Sequence, residues 1–411
     1  MTRRDFDRPL EGKFIVRLWH FAIRLAGQTL PEVALIGYPF GSTGRSEHVR
    51  ALWRALTAAG MTAKLYDIHG LKSADKGLEV EFRPHVLDRL SQTIRIFSLN
   101  GDEVTAALQI METRQSGIFA AGYNVVFPAW ELPQYPQAWA RELDRFDEVW
   151  TASLFADRCI RPTVNVPVCH IPNACEPHIK ELVQRSQFGI PAGDFTILLF
   201  FDLLSYASRK NPWAGIEAFR RLTRARSSRA IRLVIKLNHS SHDLRVIEKI
   251  VRETADVRNR VTIVDATLTD NEIKNLIHCC DCLLSLHRSE GFGRGPAEAM
   301  FFGKPVVATG WSGNMEYMNS DVSFPVAYQL IPVTEAEYPH GVNQVWADPD
   351  VEHAAQILTR LVDDPALGAA VGNRAREHMR RNFSDTVLGQ RYRARLKAIN
   401  RINPPKDKNG S

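Results

Sequence analysis

The chain has 411 residues, enough for two or three domains of roughly 150 residues each. Hydrophobic residues make up 45% and charged residues 24% of it, close to soluble globular proteins, which argues against a disordered chain or a fibrous repeat. Lys and Arg number 52 against 46 Asp and Glu, a surplus of six. This surplus is small for the length, so we predict no nucleic-acid partner, whereas a local basic patch for phosphate or lipid headgroups stays open.

The sequence also predicts where the protein works. It has no run near the ~18 apolar residues of a membrane span, and its start, MTRRDFDRPLEG, lacks the apolar core of a secretory signal. Its six cysteines are too sparse for a disulfide scaffold, and the run 278–282 (HCCDC) has no second ligand pair for zinc. We therefore expect buried cysteines, no metal site and a cytoplasmic protein, with the inner face of the membrane as an open alternative.

The segment 11–27 (EGKFIVRLWHFAIRLAG) carries apolar residues at helical spacing with basic residues among them. This pattern predicts a basic amphipathic helix. It fits an anionic membrane surface, and it fits equally a helix that packs on its own domain or on a partner.

Strand-like and helical segments then alternate, which indicates a parallel, doubly wound α/β sheet. The alternation restarts after a Pro- and Gly-rich zone at 172–194, so we predict two Rossmann-like domains facing across a cleft. The predicted divisions are an N-terminal segment (1–28), an acceptor-side domain (29–178), a nucleotide-sugar domain (179–385), and a terminal helix crossing back with a mobile tail (386–411). The predicted strands are 33–40, 64–70, 93–101, 122–130 and 147–153, then 196–203, 231–237, 260–266, 281–287 and 304–310.

The most informative stretch is 287–300 (HRSEGFGRGPAEAM), directly after a predicted strand. Its glycines, Gly291, Gly293 and Gly295, let the backbone approach a ligand, and the helix start that follows can hold a phosphate through free N–H groups. Glu290 and Glu298 then face one cleft, where a carboxylate suits a pair of ribose hydroxyls. Glycines alone would indicate only a tight turn, and a single Glu early in a helix would indicate only a favourable interaction with the helix dipole. The joint spacing of the glycines and the two Glu residues favours a nucleotide site.

A second group is SYASRKNP (205–212), at the predicted carboxyl end of a strand. Arg209 and Lys210 lie together at a helix start, where cations oppose the helix dipole. Such a placement favours a functional role, and adjacent cations can neutralise a departing diphosphate.

These motifs resemble those of the retaining GT-B glycosyltransferases of family 4, the group 1 type. The resemblance rests on the E-x(7)-E spacing of Glu290 and Glu298, and it covers most of the chain. Further matching segments are 37–50 (GYPFGSTGRSEHVR), 130–132 (WEL), 145–153 (RFDEVWTAS), 171–177 (IPNACEP), 209–212 (RKNP), 311–314 (WSGN) and 346–350 (WADPD). The closest likeness is to a branch used in bacterial surface-polysaccharide (O-antigen or capsule) assembly.

The resemblance implies a GT-B fold, a nucleotide-sugar donor and a glycan or lipid-linked glycan acceptor. It implies that Glu298 binds the ribose, that Glu290 lies against the transferred sugar and that Lys210, with Arg209, grips the diphosphate. The backbone after Glu290 would contact sugar and phosphate. The remaining implied donor-binding residues are Gly291, Phe292, Gly293, Arg294, Gly295, Leu268 near the base, Gly41 and Gly44 over the diphosphate, and Ser205. Trp130 and Glu131 would approach the acceptor or donor sugar.

The sequence departs from the family pattern in three places. Ser205 stands where many relatives carry an arginine five residues before the lysine, and Arg209 is the candidate replacement for that charge. The first loop is Gly41-Ser42-Thr43-Gly44 rather than Gly-Gly. The His-Asp pair that many relatives use near the reacting sugar is missing from the sequence, and Trp130-Glu131 is its candidate substitute.

We predict transfer with retained anomeric configuration and without a metal or other cofactor, with GDP-mannose as the first donor to test. The run 348–350 (DPD) mimics a metal signature but stands before a helical pattern at 351–361, so we expect a helix cap. Two other classes stay open. A nicotinamide-dependent oxidoreductase would depend on Asp67 at the end of the second predicted strand. A non-catalytic scaffold that binds polyanions or lipids would depend on the basic amphipathic segment 11–27.

Overall fold

The computed structural model describes residues 30–70 and 75–402. The helix predicted at 11–27 and the tail predicted to be mobile, 404–411, lie outside the described residues, so both stay predictions.

The N-terminal lobe is built on one sheet whose strands are all parallel, in the order β2-β1-β3-β4-β5-β6. Its first strand is buried along its whole length, as expected for a parallel strand covered on both faces. The strands are β1 (Val33–Gly37), β2 (Ala63–Asp67), β3 (Ile94–Phe97), β4 (Tyr123–Val126), β5 (Glu148–Thr151) and β6 (Val168–His170). The helices are α1 (Gly44–Ala58), α2 (Lys76–Phe82), α3 (Val104–Arg114), α4 (Gln137–Leu143) and α5 (Leu154–Ile160).

The C-terminal lobe repeats the plan with a parallel sheet in the order β12-β11-β10-β7-β8-β9. Its strands are β7 (Phe195–Asp202), β8 (Ile231–Asn238), β9 (Val261–Val264), β10 (Cys282–Ser285), β11 (Val306–Thr309) and β12 (Phe324–Val326). The helices are α6 (Ala207–Lys210), α7 (Pro212–Ala225), α8 (Leu244–Glu253), α9 (Asp270–Cys279), α10 (Arg294–Phe301), α11 (Val351–Asp363), α12 (Pro365–Phe383) and α13 (Asp385–Ile402). The predicted boundary zone, 172–194, falls between β6 and β7.

The strand order of the C-terminal lobe creates a crevice. Strands β7, β8 and β9 follow one another in one direction, and β10 returns to the other side of β7. Ligands of open α/β sheets bind at such a reversal, beyond the carboxyl ends of the strands. The predicted Arg209–Lys210 pair follows β7, and the predicted E-x(7)-E motif follows β10. The two motifs therefore meet at this crevice.

An antiparallel hairpin that the sequence analysis did not identify interrupts the pattern. Its strands are β13 (Tyr328–Pro332) and β14 (Val345–Pro349), and we call residues 328–349 the insert. The side-chain amide of Gln344 bonds both the backbone N (2.9 Å) and the backbone O (2.7 Å) of Gln134. The insert thus ties the C-terminal lobe to the N-terminal lobe on one side of the cleft.

The last helix, α13, packs on α1 of the N-terminal lobe. A Cβ at Gly389 would collide with the backbone of Ala55, so only glycine permits this close approach. Arg395 forms a two-pronged ion pair with buried Glu148 at 2.8 and 2.6 Å. These contacts hold the chain end against the first lobe.

The remaining sequence expectations concern cysteines, the DPD run and membrane spans. All six cysteines are free. Four of them are buried as expected (Cys159, Cys175, Cys280 and Cys282), whereas Cys169 and Cys279 are only half-buried. Asp350 caps α11 by accepting from His353 N at 2.9 Å, which confirms the cap prediction. Among residues 30–70 and 75–402, no helix is both long and apolar enough to cross a membrane.

Candidate active site

The loop between β10 and α10 is fixed by backbone contacts to the turn after β11. The backbone N–H of Glu290 donates to Ser312 Oγ (2.8 Å), and that of Gly313 donates to Glu290 O (2.8 Å). His287, fully buried below the loop, lies 3.0 Å from Asn314 Oδ1 through Nε2. Glu290 is therefore held on a rigid support, as a precisely placed side chain requires.

The N-terminal lobe contacts the same loop. Ser153 Oγ donates to Gly291 O (2.7 Å), and a Cβ added at Gly291 would lie 2.9 Å from Trp130 O. Gly293 has φ +83°, a conformation that side chains rarely adopt. These two positions show why the predicted glycine run is needed, since the backbone passes close to the opposite lobe and turns sharply into α10.

A buried charge cluster surrounds Glu290. Lys210 Nζ lies 2.5 Å from Glu290 Oε1, and Arg209 Nη1 lies 3.2 Å from Oε2. Arg209, only 4% exposed, also donates to Ser289 O at 2.9 Å. The structure thus brings together the three residues predicted to be catalytic. Arg209 and Lys210 are adjacent in the sequence, and Glu290 lies 80 positions after Lys210.

The cluster fixes the charge of its members. Burial alone would raise the pKa of Glu290, but the charges of Lys210 and Arg209 lower it to about 2. Arg209 is likewise held in its charged form, because the carboxylates of Glu131 and Glu290 outweigh burial and raise its pKa. The cluster thus sets two cations, Arg209 and Lys210, against two carboxylates, Glu131 and Glu290.

Glu298, the residue predicted to bind ribose, lies on α10 and faces the N-terminal lobe. Its Oε1 is 3.3 Å from Arg294 Nη2, and the same nitrogen is 3.6 Å from Glu47 on α1. Burial raises the pKa of Glu298; Arg294 opposes this shift and Glu47 adds to it. The carboxylate is 7% exposed, so the crevice around it is narrow in this structure.

A network of ion pairs joins the lobes beside Glu298. Lys274 on α9 pairs with Asp270 (2.5 Å) and with Glu47 (3.6 Å), and Arg50 on α1 lies 3.8 Å from Asp270. The network was not predicted, because its partners are far apart in sequence and each alone is an ordinary helix charge. Leu268, predicted to lie near the base, precedes α9 next to this network and is half-buried.

The Gly41–Gly44 loop reaches across the cleft. Thr43 caps α1 by accepting from Ser46 N (3.3 Å), and Gly44 is the first residue of that helix. Gly41 O accepts from Arg50 Nη1 at 2.9 Å. Ser42 Oγ lies 3.4 Å from Nε2 of His239, just beyond β8 of the other lobe. The loop is thus placed at the mouth of the cleft.

The other predicted site residues have simpler placements. Ser205 is half-buried at the end of a short 3-10 turn after β7. Phe292 is buried with its ring 5.1 Å from Tyr317, and Gly295 packs on Phe200. Arg294 also donates to Ala174 O in the inter-lobe segment (3.2 Å). None of these placements identifies a bound group.

Trp130 and Glu131 separate in role. Trp130 is 1% exposed and its indole N–H donates to Gln134 O at 3.0 Å, so its ring packs in the interior; that Trp130 approaches a sugar stays a prediction. Glu131 does reach the cluster, with Oε1 3.8 Å from Arg209 Nη2. Its Oε2 accepts from the hydroxyl of Tyr338, a residue of the insert that the sequence analysis missed (2.8 Å).

Lys236, at the carboxyl end of β8, is a further buried cation that no motif marked. It is 0% exposed, and its ammonium donates to two uncharged oxygens, Leu237 O and Asn238 Oδ1 (2.6 Å to the latter). Burial lowers its pKa from 10.5 to about 8, against the opposing charges of Asp265 and Asp202.

A pH dependence of stability follows from Lys236. Because the unfolded chain keeps this proton up to its ordinary pKa and the folded chain releases it near 8, folding is favoured increasingly between about pH 8 and 10.5. We expect wild type to gain up to roughly 3 kcal/mol relative to Lys236→Met across this window. Urea unfolding midpoints of wild type and Lys236→Met, taken at about pH 8 and about pH 10.5, measure the difference. The exposed-site variant Lys76→Met is the control. Parallel pH curves for the two variants would contradict it.

Two Rossmann-like lobes that face each other across a cleft lined by strand ends form the GT-B fold, as predicted. The sequence model of the family described as "Glycosyl transferases group 1" matches residues 185–378, which include β7 to most of α12. The C-terminal lobe is therefore similar in sequence to group 1 glycosyltransferases. The narrower resemblance, to family 4 and its polysaccharide branch, stays a prediction.

Individual relatives are distant. The alpha-1,3/1,6-mannosyltransferase ALG2 of Homo sapiens is 24% identical over 213 residues, or 50% of this chain and 46% of that protein. A trehalose synthase of Pyrococcus horikoshii is 24% identical over 237 residues, or 54% and 50% of the two chains. The chain thus spans about half the length of these curated relatives.

Among solved structures, Anabaena Alr3699/HepE in complex with UDP-glucose has a TM-score of 0.65 and 16% identity. The alignment covers 90% of this chain and 100% of that chain. At this identity the likeness shows the fold alone, and it extends over both lobes.

Proposed function

We propose that this protein is a retaining, metal-independent glycosyltransferase that moves a sugar from a nucleotide-sugar to a glycan or lipid-linked glycan. The observation that carries the proposal is the Lys210–Glu290–Arg209 cluster at the sheet reversal. It sets two cations where a diphosphate would leave and a carboxylate where the sugar would lie. Glu298 lies in the second turn of α10, on the same loop-and-helix unit.

The chemistry requires stabilisation of a departing nucleoside diphosphate. Lysine has three donor hydrogens, and within residues 30–70 and 75–402 Lys210 donates one of them to Glu290, so the other two can reach phosphate oxygens. Free N–H groups at the start of α10, which begins at Arg294, add partial positive charge from the helix dipole. These groups are preorganised, which is the main requirement of electrostatic catalysis.

The state of Glu290 favours a front-side reaction. A carboxylate that is paired with Lys210 and Arg209 at 2.5 and 3.2 Å is a weak nucleophile, because attack would separate it from both cations. We therefore propose that the departing phosphate oxygen, rather than a covalent sugar–enzyme bond, helps to deprotonate the acceptor hydroxyl. The acceptor then bonds to the anomeric carbon on the face that the diphosphate leaves.

The donor and the setting are proposed from likeness. GDP-mannose is the first donor to test, because one relative is named a mannosyltransferase; UDP- and dTDP-sugars follow, because HepE was solved with UDP-glucose. We propose a role in cell-surface polysaccharide synthesis at the cytoplasmic side of a membrane, with peripheral contact through residues 11–27. That segment lies outside the described residues.

Thermal stabilisation by a panel of GDP-, UDP- and dTDP-sugars, with NAD included, tests the proposed class. Binding to the native state raises the unfolding temperature, and the rise grows with the logarithm of the ligand concentration relative to Kd. Stabilisation by a nucleotide-sugar and not by NAD supports it. Stabilisation by NAD alone, or by no nucleotide, contradicts it. Asp67, on which the oxidoreductase alternative depends, caps the loop after β2 through Oδ1, which accepts from His69 N (3.2 Å) and Gly70 N (3.0 Å).

We expect Glu298→Gln to weaken the binding of the nucleotide-sugar that stabilises wild type most. An amide keeps the size but loses charge-assisted hydrogen bonds to the ribose, so we expect Kd to rise roughly tenfold or more. Isothermal calorimetry measures it, with the exposed Glu248→Gln on α8 as control. An unchanged Kd would remove Glu298 from the donor site.

A further inference from the structure

Tyr206, in the loop between β7 and α6, is both exposed and strained. Its side chain is 45% exposed, and its backbone has φ 61° and ψ 114°. Positive φ is rare for a bulky residue, and such conformations cluster at ligand sites because surrounding structure must enforce them. An exposed aromatic ring held in this way needs an explanation that packing does not supply.

Tyr206 is linked to the N-terminal lobe through one intermediate residue, Tyr338. Its ring meets that of Tyr338, in the insert, edge-on at a centroid distance of 5.0 Å and an angle of 70°. Tyr338 is buried and donates its hydroxyl hydrogen to Glu131 Oε2 (2.8 Å). A further contact from the same loop fixes the insert, because Ser208 Oγ donates to Glu337 O (2.5 Å).

Glu131 keeps hydrogen-bonding capacity. Its second oxygen, Oε1, is 3.8 Å from Arg209 Nη2, which is an ion-pair distance and longer than a hydrogen bond. Its side chain remains 16% exposed. A carboxylate oxygen accepts two hydrogen bonds, so Oε1 can receive a hydroxyl from a bound molecule.

The position relative to the charge cluster is also informative. Arg209 links Glu131 to Glu290, since its guanidinium lies within 4 Å of both carboxylates. Tyr206 is four residues before Lys210 on the same loop. The Tyr206–Glu131–Tyr338 group therefore borders the proposed diphosphate and sugar positions, whereas Glu298 and Leu268 lie on the α9–α10 side.

We propose that Tyr206, Glu131 and Tyr338 form a subsite for a sugar ring of the acceptor. A pyranose presents a C–H face that packs on an exposed aromatic ring and a rim of hydroxyls that donate to a carboxylate; Tyr206 and Glu131 supply this pair, and Tyr338 is a positioning residue that orients Glu131. The expected ligand is an uncharged hexose unit. This inference rests on the proposed function and specifies its acceptor side.

Saturation-transfer NMR of the full chain with methyl α-D-mannopyranoside and methyl α-D-glucopyranoside tests the subsite. We expect saturation on the ring C–H protons of at least one glycoside with wild type and with Tyr206→Phe, which keeps the ring. Tyr206→Gly should reduce the effect roughly tenfold while keeping or raising the unfolding temperature, since glycine adopts positive φ without strain. Tyr338→Phe should reduce it less, through the freed Glu131 carboxylate. The control is Tyr328→Ala, an exposed tyrosine of the insert (37%).

The outcomes separate the two proposals. Equal saturation in wild type and Tyr206→Gly, or no saturation of either glycoside in wild type, overturns the subsite. If nucleotide-sugars then still stabilise wild type and Tyr206→Gly alike, the proposed function stands without this acceptor subsite. If they stabilise neither protein, the proposed function itself fails. A large loss of saturation in Tyr206→Gly and a smaller loss in Tyr338→Phe, with Tyr328→Ala and donor stabilisation unchanged, supports the inference.

Discussion

Lys210→Ala is expected to lower turnover by a factor of roughly 10² to 10³ and to change donor binding less than tenfold. Lys210 would contact oxygens whose negative charge grows as the diphosphate leaves, so its stabilisation is larger in the transition state than in the bound donor. Arg209, whose Nη1 lies 3.2 Å from Glu290 in wild type, is unchanged in the variant. The carboxylate of Glu290 is therefore not left without a cation. The variant should therefore remain folded.

The measurement is kcat with the nucleotide-sugar that stabilises wild type most, alongside Kd from calorimetry. Lys210→Arg serves as the conservative comparison, and Lys76→Ala, exposed at the start of α2, as the surface control. A loss of affinity as large as the loss of turnover would mean that Lys210 binds ground and transition states equally. Unchanged turnover would remove it from the chemistry.

Much of the fold was predictable because its signals are local. Apolar runs such as IRLVIKL depend on neighbours in sequence, and the corresponding strand, β8, lies where it was expected. The strand β6 and the insert were missed. β6 has only three residues, and β13 is mostly exposed, so neither carries an apolar pattern long enough to read.

The candidate site divides in the same way. The glycine loop and Glu290 could be predicted because strand, turn and helix start follow one another within 14 residues of sequence. The contacts that set the state of Glu290 could not, because Ser312 and the Arg209–Lys210 pair come from two other segments that only the folded sheet brings together. Trp130 shows a different limit of prediction from sequence. A motif match picks out a residue but does not show whether its ring faces the cleft or the core.

Glu290→Gln is expected to be the most damaging single change, because it affects both stability and reaction. Glu290 is buried between two cations, and removing one partner of a buried ion pair typically costs about 3 to 5 kcal/mol. For a lobe of this size that corresponds to a fall in unfolding temperature of roughly 10 °C. Transfer activity should fall at every pH tested, because the reacting sugar loses its carboxylate and the two cations lose their spacing.

The pH behaviour of wild type follows from the same residue. Since the pKa of Glu290 is lowered to about 2, the carboxylate stays charged down to strongly acid solution. Its contribution to stability is present above the unfolded pKa near 4.5 and is lost as pH falls from there towards 2. An acid limb in the activity profile between about pH 5 and 7 would therefore belong to another group.

A double-mutant cycle distinguishes an unpaired-charge effect from simple loss of packing. If the stranded ammonium of Lys210 causes the instability of Glu290→Gln, then adding Lys210→Met should restore part of the lost stability rather than add to the loss. Equilibrium unfolding of wild type, the two single variants and the double variant gives the coupling energy. Strictly additive losses would show that the cluster is not electrostatically coupled, and the site assembled around Glu290 would lose its physical basis.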